Sequence, residues 1–146
     1  MTDFGPTPLA TKLAALLDPG DERPLSSQIV DRIWLDVISG AIETGQRLPT
    51  VRQLAIDLGI NPKIIDRAYQ QLEGLGVVST RPGQGSYVSL NVPDEDALRR
   101  RREFEQCALQ AVAGTEALGF SIDDLLDTLD DIRTTKRSQG REGGKL

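Results

Sequence analysis

Histidine is absent from this 146-residue chain, and cysteine occurs once, at Cys107. The first absence removes the commonest general base and the commonest transition-metal ligand. The second excludes an internal disulfide and any paired-cysteine metal site, and it suits a reducing compartment. Aromatic residues make up 4% of the chain, so its core must be aliphatic. No apolar run approaches the roughly 20 residues of a membrane span. The N-terminus lacks the basic start and apolar stretch of a signal peptide. No phosphate loop and no nucleophile constellation is present. The expectation is a cytoplasmic protein that is not an enzyme, with no membrane contact and no cofactor or metal.

What the chain does have is concentrated between Gly45 and Val88. Thr50 is a good helix N-cap and Gln53 stands three residues on, which predicts a capping box with bonds in both directions. A helix follows over about Val51 to Leu58, with Val51, Leu54, Ala55 and Leu58 on one face. Gly59 stops it in the left-handed conformation. Asn61 caps a second helix, and Pro62 takes the first helical position, where its missing N–H costs nothing. Ile65, Ala68, Tyr69, Leu72 and Leu75 form the buried stripe, leaving Lys63, Ile64, Asp66, Arg67 and Gln70 outside. Only Gly59 and Ile60 separate the first helix from the cap of the second. Two short helices so close must cross steeply, as in a helix-turn-helix. Val77 to Arg81 and Ser86 to Ser89 read as strands joined by the turn Pro82-Gly83-Gln84-Gly85, a wing. Arg47-Leu48 supplies a small third strand beside it.

These elements resemble the DNA-binding domain of the GntR family of bacterial transcription regulators. The resemblance begins at Pro24-Leu25 with Gln28, Ile29, Ile33, Ile38 and Gly40. It continues through Gly45, Arg47-Leu48-Pro49, Arg52, Leu54-Ala55, Arg67-Ala68-Tyr69, Leu72-Glu73, Gly76, Arg81, Gly83, Gly85 and Val88, about half the chain. Asn61-Pro62 and Ala68-Tyr69 look most like the YtrA-like subgroup, whose members carry only a short helical tail. The resemblance implies a homodimer joined through its C-terminal helices, bound to double-stranded DNA at a pseudo-palindromic operator, more often as a repressor than an activator. It names no small-molecule effector.

The fold class that follows is mainly α with a small β-wing, a winged helix-turn-helix plus a short C-terminal helical hairpin. Residues 1–23 form an N-terminal extension with a short amphipathic helix. Residues 24–92 form the DNA-binding domain, 93–135 the helical dimerisation region, and 136–146 a disordered tail. In the extension, Thr7 caps a helix with Leu9, Leu13, Leu16 and Leu17 on one face. That stripe packs on the chain's own domain or tail, or it crosses as an arm to a second subunit. The next helix starts at Ser26 or Ser27 and ends near Ser39, with Ile29, Ile33, Val37 and Ile38 inward and Trp34 at the flank. Pro93 marks the boundary after the wing. Asp94-Glu95-Asp96 opens a helix that runs to roughly Ala117. Gly119 breaks it, and Ser121 with Asp124 caps a final helix of about Ile122 to Arg133. Its apolar face comprises Ile122, Leu125, Leu126, Leu129 and Ile132. Two helices of this size cannot bury both apolar faces alone; a second copy of the hairpin would cover them.

Charge tempers the DNA assignment. The chain carries a net −5, yet Arg47 to Ser89 holds five basic residues against three acids. Weak non-specific binding with a modest salt slope is therefore expected. The candidate contacts are Arg52, Asn61, Lys63, Ile64, Arg67, Arg81, Gly83 and Gln84. Arg52 lies where the first motif helix crosses the DNA backbone, and family regulators use the matching arginine to contact DNA; its other partner would be Asp57. Lys63 sits near the N-terminus of the recognition helix, where base edges are read. Asn61 and its neighbouring amides suit a phosphate. Arg67 faces DNA or pairs with an acid such as Glu73. Ile64 touches a thymine methyl or is packed. Gly83 and Gly85 let the wing backbone approach closely, and Arg81 can enter a minor groove. Gln84 stands where a basic residue is common. Arg99 to Arg102 encircle their helix rather than forming a patch, which favours ion pairs with nearby acids. Asp123, Asp124, Asp127, Asp130 and Asp131 read as a solvated acidic face. The rival from another class is a dimeric winged-helix protein-interaction module without operator binding.

Overall fold

The computed structural model describes residues 7–89 and 95–143, with side chains through residue 140. The expectations for residues 1–6 and 144–146, and for the Pro93 boundary and Asp94, fall outside the described residues. Six helices and one hairpin follow in order: α1 (Pro8–Leu16), α2 (Leu25–Ile38), α3 (Val51–Leu58), α4 (Pro62–Gly74), β1 (Val78–Arg81), β2 (Gly85–Val88), α5 (Glu95–Ala117) and α6 (Ile122–Gly143). This is the winged helix-turn-helix with a C-terminal helical pair. The chain divides into two compact units between Arg101 and Arg102.

In the first unit, local signals set the helix ends. The Thr7 hydroxyl accepts from the Ala10 amide at 3.2 Å, and Pro8 takes the first helical position of α1. Gly59 ends α3 at φ 64° and ψ 34°, the left-handed geometry that closes the short turn into α4. The core is aliphatic: Ile29 and Ile33 of α2, Leu54 of α3, and Ile65 and Leu72 of α4 are all sealed from solvent. β1 and β2 pair antiparallel from Val78↔Val88 to Arg81↔Gly85. The expected third strand is reduced to one bridge, Arg47↔Tyr87, secured by the Leu48 amide on the Ser86 carbonyl at 2.8 Å.

α1 packs against α3. Leu13 is fully buried and Ala10 nearly so, so this helix belongs to the domain's own core. Its charge is anchored too: Lys12 Nζ lies 3.1 Å from the buried Asp36 carboxylate, which also takes Arg32 Nε at 3.3 Å. Two expected inward positions turn outward. Leu16 is 52% exposed and Ile38 43% exposed, each in the last turn of its helix. Trp34 is buried, beyond the flanking role expected of it, and its indole N–H has no partner among the described residues.

In the second unit, Gly119 turns the chain at φ 87°. Ser121 and Asp124 cap α6 reciprocally, amide to carboxylate at 2.8 Å and amide to hydroxyl at 3.1 Å. Hydrogen bonding from the Ser121 amide, and to a lesser degree from the Ser121 side chain, holds the exposed Asp124 carboxyl below its ordinary pKa. None of residues 102–140 is buried. Phe104, Leu118, Phe120, Leu126 and Leu129 are all open to solvent. Two bounds need correction. α6 does not end near Arg133 but runs on to Gly143, so the stretch expected to be disordered from 136 is helical over its described part. Lys136, Arg137 and Gln139 are good helix formers, and the helix, once nucleated, propagates through them.

Candidate nucleic-acid interface

The turn before α3 sets the first contact. Thr50 accepts from the Gln53 amide at 3.0 Å, as a cap should. The return half of the expected capping box is not made. Gln53 Nε2 instead donates to Asp57 Oδ1 at 2.7 Å, one turn further along the helix. That exchange matters for Arg52. The carboxylate that might have neutralised it is held by an amide, and Arg52 stands exposed with no ion pair among the described residues.

α4 repeats the device. Gln70 Nε2 donates to Asp66 Oδ2 at 2.9 Å. Lys63 and Arg67 flank Asp66 on the exposed side of α4, and neither has a carboxylate within ion-pairing distance among the described residues. The expected alternative for Arg67, a bridge to Glu73, is not formed. On both helices an acid thus accepts from a neutral glutamine at i,i+4, and the cations make no ion pair among the described residues.

Asn61 caps α4 through its side-chain oxygen, which accepts from the Lys63 amide at 3.0 Å. Only its amide nitrogen remains for an external acceptor. Ile64 is half-buried and packed against the core, beside a groove of about 410 Å³ lined by Leu17, Leu58 and Ile60. Its packed alternative is therefore the structural one, and only its outer edge faces outward. The Tyr69 hydroxyl crosses from α4 to donate to the Pro49 carbonyl at 2.7 Å. Burial pushes its pKa far up, so it stays a neutral donor.

The wing tip turns at Gly83, φ 74°, with the Gln84 amide on the Arg81 carbonyl at 2.9 Å. Gln84 is exposed there. Arg81 does not extend from the tip: its guanidinium lies 4.8 Å from the centre of the Tyr87 ring. Tyr87 is fixed in turn, its hydroxyl donating to the Gln84 carbonyl at 3.1 Å. Sequence reading missed this stacking and also missed that Arg47 lies beside it. The signal was present: a strand at Arg47-Leu48 beside the wing puts Arg47 on the same face as its bridge partner Tyr87.

Elsewhere, Arg99 pairs with Asp96 at 3.2 Å, in line with ion pairing for the arginine run. The aspartates of α6 are exposed, and no group of three or more ligating side chains that could hold a metal lies among the described residues. No helix there is long and apolar enough to cross a membrane.

Known proteins share this arrangement. The family model for bacterial regulatory proteins of the gntR family matches residues 25–88. An HTH-type transcriptional regulator of Mycobacterium tuberculosis is 34% identical over 104 residues, covering 71% of this chain and 81% of that protein. The HTH-type transcriptional repressor YtrA of Bacillus subtilis is 26% identical over 129 residues, 88% of this chain and 95% of the other. The regulator YhcF of the same organism is 36% identical over 77 residues, but the match spans only 64% of its length. In fold, the chain is similar to a transcriptional antiterminator from Listeria monocytogenes, with a TM-score of 0.53 and 24% identity over 80% of this chain and 87% of that one. With a relative matched over most of its length and the motif helices, turn and wing in place, the chain belongs to the GntR family of bacterial regulatory proteins and carries that family's DNA-binding winged helix-turn-helix.

Proposed function

We propose that the protein is a homodimeric transcription repressor of the YtrA type that binds a pseudo-palindromic operator in the cytoplasm. The observation that carries this reading is the set of exposed cations on the two motif helices that make no ion pair among the described residues. Asp57 and Asp66 are occupied by glutamine amides, while Arg52, Lys63 and Arg67 remain exposed and unpaired. Such cations are what phosphate oxygens and guanine edges need. Dimerisation is supported by the second unit, which buries no side chain among its described residues and exposes a row of leucines and isoleucines along α6. The repressor sign is taken from the similarity to YtrA. Arg52 and Arg67 hold phosphates, Lys63 reads a base edge, and Arg81 with the Gly83 turn reaches along the wing side.

The test is fluorescence anisotropy on DNA from upstream of the protein's own gene, against scrambled DNA, with Arg52→Ala alongside. Tight, salt-sensitive binding that prefers the native DNA and is lost in Arg52→Ala supports operator binding. The interaction-module alternative is favoured by the net charge of −5 and by the neutral Gln84 exposed at the wing tip. A dimer that ignores both DNAs, and that retains nothing in a genome-wide selection of bound fragments, would replace the first reading with the second.

A further inference from the structure

The outer face of the wing carries a second arginine. Register fixes which residues share that face: Arg47 is bridged to Tyr87, Tyr87 pairs with Ser79, and Arg81 pairs with Gly85. Directly opposed residues point to one side of a sheet, so Arg47, Tyr87, Arg81 and Gly85 all lie on it. The other side turns Val78 and Val88 into the core.

Arg47 is held there closely. A Cβ placed on Gly85 would stand 3.0 Å from Arg47 Nε and 3.2 Å from Nη2, so the guanidinium lies flush against the bare backbone of β2. Gly85 has φ 104°, and no side chain fills the space the arginine uses. The backbone on either side is stitched to β2 by the Val88 amide on the Gln46 carbonyl and the Leu48 amide on the Ser86 carbonyl, each at 2.8 Å. Arg47 is exposed, and no carboxylate among the described residues pairs with it. Across the same face Arg81 is steadied by the Tyr87 ring. Two planar cations are thus fixed in advance on one solvent-facing surface, which lowers the ordering cost of binding an anion. Chain position connects them to the motif: Arg47 stands three residues before Thr50, the cap of α3, and five before Arg52.

We infer that Arg47 is a further DNA-contacting residue, a phosphate clamp that works with Arg81 from the outer face of the wing. The inference rests on the operator-binding reading above. A phosphate contact carries no sequence information. Its loss therefore weakens native and scrambled DNA by the same factor.

The test is a salt series by fluorescence anisotropy on wild type, Arg47→Ala and Arg47→Lys, with thermal unfolding of each. Arg47→Ala is expected to lower the slope of log affinity against log salt by about one per half-site. The wild-type to variant affinity ratio then shrinks about 3–4-fold per half-site between about 50 and 200 mM salt. Arg47→Lys keeps the charge and the slope but recovers only part of the affinity. An Arg47→Ala variant with wild-type slope overturns the inference, whether its affinity is unchanged or falls together with its melting temperature. A wild type that binds neither DNA and retains nothing in a genome-wide selection of bound fragments removes the operator reading itself, a result distinct from a wild type that binds while Arg47→Ala binds alike.

Discussion

The Tyr69 hydroxyl donates to the Pro49 carbonyl at 2.7 Å, joining the middle of the recognition helix to the turn that launches α3. The ring is buried, and its carbonyl partner has no other hydrogen bond described. Tyr69→Phe is therefore expected to cost about 1–2 kcal/mol, since the bond is lost and a carbonyl is left wanting. Urea unfolding of the two proteins measures it as a lower midpoint at unchanged slope.

Leu13 and Leu16 lie on one short helix but have opposite surroundings. Leu13→Ala should destabilise the protein by about 2–5 kcal/mol, because it empties a sealed site between α1 and α3. Leu16→Ala should stay within about 0.5 kcal/mol. Equal, small effects for both, measured by thermal or urea unfolding, would mean that α1 is not part of the domain core.

Lys63 and Arg67 should separate under mutation although they stand one turn apart. Lys63→Ala is expected to lower affinity for native DNA by about 1–3 kcal/mol while sparing scrambled DNA. Arg67→Ala should weaken both DNAs alike and reduce the salt slope by about one per half-site. Titrations at two salt concentrations distinguish the two patterns.

Leu126 and Leu129 test the proposed dimer. Each is about half exposed on α6, and a carboxylate at either place would have to be desolvated in a helix–helix interface. Leu126→Asp with Leu129→Asp is expected to shift sedimentation from dimer to monomer, while unfolding of the winged domain keeps its midpoint. A double variant that sediments as wild type would remove this face from the interface.

Asp124 supplies a pH signature. Its carboxyl titrates below the ordinary value because it accepts from the Ser121 amide and hydroxyl. A depressed folded-state pKa stabilises the folded form above the ordinary value of 3.8, and that stabilisation is lost as pH falls through the folded value. Asp124→Asn should therefore have lower helix content than wild type near neutral pH, and circular dichroism should show the difference vanish in strong acid.

Local chemistry was the most legible part of the sequence. Thr7, Thr50, Asn61 and Ser121 each cap the helix expected of them, because a cap depends on residues within three positions. Where two local partners compete, the pattern misleads: Gln53 could return to Thr50 or reach Asp57, and it does the second. Periodicity also cannot see what lies opposite a helix. The pattern sets Ile64 outside and Ile38 inside, whereas the structure packs the first against the core and leaves the second exposed, since what covers a helix face comes from elements distant in sequence. Composition failed at 136–143, where a polar run continues a helix already begun. Arg81 on Tyr87 needed three-dimensional register, which no count of charges supplies.

The stretch that the family model matches stops at residues 25 and 88, but the packed interior does not. Leu13 closes it from one flank and Leu98 from the other, both in the same cluster as Ile29 and Leu72. Anyone borrowing this reading head for a fusion must carry both flanks along. The segment that identifies the module is shorter than the segment that lets it stand alone.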